Sequence, residues 1–231
     1  MKLETKDLLT GDEISSKEFL ELIDFSIKLK EENKTVKGKQ LLENKTLAML
    51  FEKPSTRTRV SFETGMKQLG GHTIILSLNE MQHSRGESVE DTAKTLSGYV
   101  DGIVARVYEH SFIEDLAKHA TVPVINGLSN SYHPCQTLAD FMTIKEHKKK
   151  FKDLKIAWIG DGNNVCNSLI FGCSKTQTEI TIATPKGFEP NSDVVKKASK
   201  STVVELTADP KSAIEDADIV MTDTFTSIHT S

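Results

Sequence analysis

Strand-like and helix-like runs alternate along almost the whole chain, and this alternation restricts the fold more than any other feature. An amphipathic helix is predicted over 13–32, with Ile14, Phe19, Leu20, Ile23, Ile27 and Leu29 on its apolar stripe. An apolar run at 47–51 then reads as a strand and 56–69 as a helix, stopped by Gly70-Gly71. The pattern repeats as strand 73–78 and helix 89–99, strand 103–107 and helix 112–119, and strand 122–125 and helix 134–149. Ser88 with Asp91, and Ser111 with Glu114, resemble capping boxes. It begins again with strand 156–159, a turn at 160–164 and helix 165–175, followed by strands 180–183, 203–206 and 219–222. The expected fold class is α/β. Two parallel-sheet domains, 1–150 and 151–231, meet in the charged stretch 148–153, and the second is doubly wound and incomplete at its C-terminus. With little sequence after 219–222, that last strand is expected to be an uncovered edge.

Bulk properties narrow the partners. The 231 residues carry a net charge of −4, with 27% charged and 37% apolar residues. That balance suits a soluble globular protein and gives no reason to expect nucleic-acid or membrane binding. The tight basic run Lys148-Lys149-Lys150 ends a predicted helix, where cations suit the dipole. Three cysteines argue against a disulfide framework; Cys166 and Cys173 lie on one helix face as small core residues, and the histidines show no ligand spacing with them. The N-terminus lacks an apolar leader core, so a cytoplasmic setting is expected.

The chemistry concentrates after the first strand, in Pro54-Ser55-Thr56-Arg57-Thr58-Arg59. Ser55 is a good N-cap for the helix that Val60, Phe62, Met66 and Leu69 suggest. Three hydroxyls and two guanidinium groups then share the first helical turn, where free N–H groups and the helix dipole favour an anion. Arg57 adds a planar fork matched to phosphate oxygens. The glycine-rich run and lysine of a nucleotide phosphate loop are missing, so side chains and a helix end must hold the anion. The plain alternative is a capped helix with two solvated arginines.

Other polar residues fall where ligands sit in open parallel sheets, beyond the carboxyl ends of the strands. Arg106 ends an apolar strand and needs a partner or a ligand; a structural ion pair is the alternative. His133-Pro134-Cys135-Gln136 opens a helix after a polar turn, with Pro134 at its first position. A histidine donor beside a carboxamide can hold a carbonyl oxygen and an adjacent NH2 group. The alternatives are a capping histidine and a solvated glutamine; Cys135 has no evident base and orienting partner to make it a nucleophile. Gln82, in the polar loop with His83, Ser84 and Arg85, belongs to a lid or to a plain solvated loop. Gly160-Asp161-Gly162 invites a dinucleotide reading, but the third glycine is replaced by Val165. Asn163-Asn164 could instead bind a small zwitterion.

Taken together, these motifs resemble the carbamoyltransferase (transcarbamylase) family. Residues 51–59 look like its carbamoyl-phosphate motif; Gln82, Arg106 and His133-Pro134-Cys135-Gln136 match further contacts in order and spacing; and Gly160-Asp161-Gly162-Asn163-Asn164 is similar to the ornithine branch. The resemblance implies a homotrimer with shared active sites and transfer of a carbamoyl group from carbamoyl phosphate to the δ-amine of L-ornithine, without metal or cofactor. It implies that Ser55, Thr56, Arg57, Thr58 and Arg106 hold the phosphate, with Gln82 reaching in from a neighbouring subunit. His133, Gln136 and Thr58 would polarise the carbamoyl group, with Pro134 and Cys135 beside it. Asn164, Asp223, Ser227 and Ile228 would hold the amino acid. Ile228-His229 stands where the ornithine branch has Met-Gly, which leaves other amines, such as putrescine or an acylated ornithine, as alternatives. The family also continues through a His-Cys-Leu-Pro motif and a late arginine not found here. A fragment of a longer product, or a truncated non-catalytic homologue, is therefore a further expectation.

Overall fold

The computed structural model describes residues 3–35, 40–81 and 86–224. Two compact units divide the chain, one holding Met1–Glu13 and Phe25–Ser129, the other Ile14–Asp24 and Asn130–Ser231. Helix α1 (Ser16–Thr35) contributes to both.

The first unit contains β1 (Thr46–Phe51), α2 (Thr56–Gln68), β2 (His72–Ser77), α3 (Val89–Ser97), β3 (Gly102–Arg106), α4 (His110–His119) and β4 (Val124–Leu128). Its four strands are all parallel, in the order β2-β1-β3-β4. The central strands β1 and β3 are apolar without interruption because both of their faces are covered. Ala48 and Leu50 turn to one face, where Ala93, Ile113 and Leu116 of α3 and α4 join the core; Leu47, Met49 and Phe51 turn to the other, against Met66 and Phe62 of α2. The chain leaves β1 toward β2 and later returns to β3 on β1's other side. This reversal of winding opens a crevice at the carboxyl ends of β1 and β3. Register pairs Phe51 with both Ser77 and Arg106, so these residues share that rim.

The second unit repeats the scheme with β5 (Lys155–Ile159), α6 (Asn164–Thr176), β6 (Glu179–Ala183), α7 (Ser192–Ala198), β7 (Val204–Thr207), α8 (Pro210–Ile214) and β8 (Ile219–Met221), in the parallel order β7-β6-β5-β8. Here the winding reverses between β5 and β8, which puts the turns after both strands on one rim. Helix α5 (Pro134–Lys148) lies on α6, and Gly172 permits the approach: a Cβ there would come within 2.4 Å of the Phe141 ring. Phe19 meets Phe141 edge-on at 5.4 Å, which fastens the start of α1 to the same unit.

The structure differs from the sequence pattern at β4 and α4. Strand β4 runs over Val124–Leu128 instead of 122–125, because Asn126-Gly127, a turn signal in isolation, is held inside the sheet. The Asn126 amide donates to the Leu9 carbonyl at 2.7 Å, and Gly127 leaves room for Val104. Helix α4 starts at His110 with Glu109 at its cap position, so Ser111 lies within its first turn and the expected capping box is absent. Ser88 does cap α3, its hydroxyl accepting from the Asp91 N–H at 3.0 Å.

Candidate functional site

The polar residues lie at the two winding reversals and at the start of α5. In the first unit, Ser55 takes the N-cap position of α2 in extended backbone geometry (φ −148°, ψ 108°), as its sequence position suggests, but its side chain makes no capping bond. The hydroxyl and the first-turn N–H groups therefore stay available to an anion. Thr56 and Arg57 are exposed and Thr58 is half-buried. Arg106, half-buried at the end of β3, donates from Nη1 to the Thr58 hydroxyl at 2.9 Å. Burial and the neighbouring Arg57 charge both lower the Arg106 pKa. Among the described residues no carboxylate lies within ion-pair distance of Arg57 or Arg106. The structural ion pair considered for Arg106 is thus not formed there. Arg59 follows the plain reading, pairing with Glu63 one helical turn on at 3.2 Å.

Glu52, which the sequence did not single out, holds this rim together. Its carboxylate accepts from the Tyr108 N–H and its own N–H donates to the Arg106 carbonyl at 3.0 Å, tying the exit of β1 to that of β3. Lys53 lies 4.4 Å from the Tyr108 ring centroid. Glu52 is turned to backbone and, among the described residues, forms no ion pair with Arg57 or Arg106 of the cradle of hydroxyls and guanidinium groups. A shallow groove along α2, lined by Thr56, Arg57, Val60, Ser61 and Thr64, shares only Thr56 and Arg57 with the cradle. It is an open helix face, without Thr58 or Arg106.

In the second unit His133 occupies the N-cap position of α5 without a side-chain cap, and Pro134 starts the helix. The His133 N–H donates to the buried Ser168 hydroxyl of α6 at 2.7 Å, while Tyr132 stacks on Phe171 with centroids 6.1 Å apart. These contacts fix the backbone and leave the imidazole clear of a capping role. Gln136 is exposed at the start of the helix, and its Nε2 donates to Asp140 Oδ1 at 2.9 Å. Burial pushes the Cys135 thiol up to about 12, so at neutral pH it is a protonated packing group, in line with the reading that it is no nucleophile.

At the other reversal, Asn163 is the N-cap of α6, its carbonyl accepting from the Val165 and Cys166 N–H groups at 3.0 and 3.1 Å. Its amide donates to Asp223 Oδ2 at 2.8 Å, linking the turn after β5 to the one after β8. Asn164, at the first helical position, is buried. The glycines before it answer to chain packing. Gly160 has φ +140°, and a Cβ on Gly162 would lie 2.1 Å from the Pro190 nitrogen. Both are accounted for without a pyrophosphate. Gln82, Ser227 and Ile228 lie outside the described residues, where nothing about their positions follows.

The first unit thus joins Ser55–Thr58 with Arg106, and the second joins Gln136 with Asp140 and Asn163 with Asp223. Cys166 and Cys173 are both buried, as their spacing suggested. Among the described residues no group of histidine, cysteine or carboxylate side chains is arranged to hold a metal ion, and no helix is long and apolar enough to cross a membrane.

Both parts of the chain match known proteins. Residues 6–146 match the carbamoyl-phosphate-binding domain, and residues 152–231 the Asp/Orn-binding domain, of the aspartate/ornithine carbamoyltransferases. An ornithine carbamoyltransferase from Cenarchaeum symbiosum is 57% identical over 229 residues, which is 99% of this chain and 75% of the relative. One from Bacillus thuringiensis is 51% identical over 232 residues, 98% of this chain and 72% of the relative. The solved ornithine carbamoyltransferase from Pyrococcus furiosus superposes with a TM-score of 0.94 at 47% identity, over 99% of this chain and 75% of that one. The chain spans about three quarters of the length of these proteins. It belongs to the aspartate/ornithine carbamoyltransferase family.

Proposed function

We propose that this protein is a carbamoyltransferase that moves the carbamoyl group of carbamoyl phosphate to the δ-amine of L-ornithine, yielding citrulline and phosphate. The observation that carries the reading is the pair Arg57 and Arg106, without a carboxylate partner among the described residues, beside the hydroxyls of residues 55–58. A dianionic phosphate supplies the charge that this cradle lacks. The relatives named above, all of the ornithine branch, support ornithine as the acceptor.

In this reading Ser55, Thr56, Arg57, Thr58 and Arg106 hold the phosphate oxygens, and residues 1–150 form the carbamoyl-phosphate domain. His133 and Thr58 donate to the carbamoyl oxygen, and Gln136 accepts from the carbamoyl NH2. Pro134 and Cys135 fix the helix start that carries them. Residues 151–231 take the amino acid, with Asn164 and Asp223 on its backbone groups and Ser227 and Ile228 beside them. The neutral amine attacks the carbonyl carbon, a C–N bond forms, and negative charge gathers on the carbamoyl oxygen. Collapse of the tetrahedral intermediate breaks the C–O bond to phosphate, and the proton lost by the amine passes to the departing phosphate. Stabilising charge and holding the reactants close account for the catalysis, with no covalent enzyme intermediate. Gln82 completes the site from a neighbouring copy in a homotrimer, and the setting is the cytoplasm.

The test is citrulline formation from carbamoyl phosphate and ornithine by the complete protein, with aspartate, putrescine and N-acetylornithine as competing acceptors. Preference for ornithine is expected. Faster transfer to any of the others would replace this acceptor assignment.

A further inference from the structure

Gln136 and Asp140 sit four residues apart on α5, joined by the bond from Nε2 to Oδ1. On an exposed helix such a pair adds a few tenths of a kcal/mol and needs no further reason. Here the surroundings differ. Asp140 is half-buried, and among the described residues no cation lies within ion-pair distance of it. The charged group whose field acts on it is another carboxylate, Asp223, which is itself held by Asn163. Asp140 is pushed up to about 6, chiefly by burial, with Asp223 adding to the rise and the Gln136 bond opposing it. Helix stability alone does not favour a carboxylate in that position. What the position does supply is a fixed partner for one amide.

An ionised carboxylate has no proton to give, so only the NH2 end of Gln136 can face it. The amide oxygen must then point the other way. We propose that Asp140 is a positioning residue: it fixes the Gln136 carboxamide with Oε1 presented to the substrate, so that Gln136 can accept only from an N–H donor such as the carbamoyl NH2. The identity of that donor rests on the carbamoyl-transfer reading above. Protonation reverses the polarity. A neutral Asp140 can donate its O–H to Oε1, the amide turns over about its Cγ–Cδ bond, and an NH2 group would face the substrate's own NH2.

The experiment compares the wild-type protein with Asp140→Asn and Asp140→Ser. In Asp140→Asn the new amide can pair with Gln136 either way round, so the orientation is no longer set. The kcat/KM for carbamoyl phosphate at pH 8 should fall by at least ~2-fold, since only about half of the molecules then present Oε1. KM for ornithine should change less, and the melting temperature should hold. The wild-type profile should lose activity as pH falls through about 6, and both variants should lack that limb. Independently of turnover, the Gln136 side-chain amide resonances, assigned by their loss in Gln136→Ala, should titrate with a midpoint near 6 in the wild-type protein. They should stay flat in Asp140→Asn. A flat wild-type amide titration, or unaltered kcat/KM in both variants, overturns the positioning role even where transfer is robust. A titrating amide in a protein that forms no citrulline supports the positioning role and overturns only the proposed reaction.

Discussion

Arg106 and Thr58 meet at 2.9 Å although 48 residues separate them. The bond joins the exit of β3 to the first turn of α2. It pre-orients a guanidinium whose charge has no carboxylate partner among the described residues, so the cradle is in place before a ligand arrives. Such pre-organisation raises affinity by removing an ordering cost. Thr58→Val removes the acceptor and keeps the shape. We expect carbamoyl-phosphate affinity to drop by ~10-fold, since one hydrogen bond to a charged group is lost, while Thr58→Ser stays near wild type. Isothermal titration decides it, and equal affinities for wild type and Thr58→Val would show that Arg106 needs no such orientation.

Arg57 sits in the first turn of α2 and makes no ion pair among the described residues, so its charge is free for the phosphate. Arg57→Ala is expected to lose on the order of 3 kcal/mol of transition-state stabilisation, in the range for removing a donor aimed at developing charge. Arg59→Ala, which removes only an exposed pair with Glu63, should lie within a factor of a few of wild type. Similar losses in the two variants would mean that the assignment of Arg57 is wrong.

Cys135 stands among the proposed binding residues, yet burial pushes its thiol up to about 12. Its reactive thiolate form is therefore scarce at neutral pH. Iodoacetamide at pH 8 should modify Cys135 far more slowly than a free thiol, and Cys135→Ser should keep most of the transfer activity. Rapid alkylation with matching inactivation would require a different account of the helix start.

The sequence was most legible where a property repeats along the chain. Strands β1 and β3 are unbroken apolar runs because both of their faces are covered, and α2 and α3 announce themselves by Ser55 and Ser88. Local signals misled where distant partners satisfy polar groups. Asn126-Gly127 reads as a turn, but Leu9 and Ser129, far and near in sequence, accept the Asn126 amide and keep it in β4. The residues that support the site were the hardest to see. Glu52 and Ser168 act on backbone N–H groups supplied by other elements, which no pattern in the chain encodes. Asp140 left a signal in its four-residue spacing from Gln136, but the neighbouring Asp223, which gives that spacing its meaning, is brought there by the fold.

Gly162 separates a structural from a cofactor-binding reading of the turn after β5. Its missing Cβ makes room for Pro190, with Gly162 N–H donating to the Phe188 carbonyl at 2.7 Å. Gly162→Ala must displace backbone, at a cost of about 1–3 kcal/mol by analogy with overpacked cores. A lower melting temperature is expected, with no nicotinamide-dinucleotide binding before or after the change. Dinucleotide binding by the wild-type protein that this variant abolishes would restore the reading set aside here.

His110 gives the fold an acid-side weakness that can be measured without any ligand. It is the first residue of α4, buried, with Nδ1 at 2.9 Å from the buried Ser129 hydroxyl. Burial lowers its pKa, while the Glu114 and Glu13 carboxylates act to raise it. The folded state therefore favours the neutral ring, and a cation at a helix N-terminus would be disfavoured in any case. Between the lowered folded value and the ordinary value of 6.5, the unfolded chain binds more protons than the folded one. The stabilisation is thus complete above about 6.5 and is lost as pH falls below it. His110→Asn keeps a polar partner for Ser129 and removes the titration. Its melting temperature should decline less steeply than that of the wild type between pH 7.5 and 5.5. Parallel declines in the two proteins would show that His110 does not titrate in the fold as its burial implies.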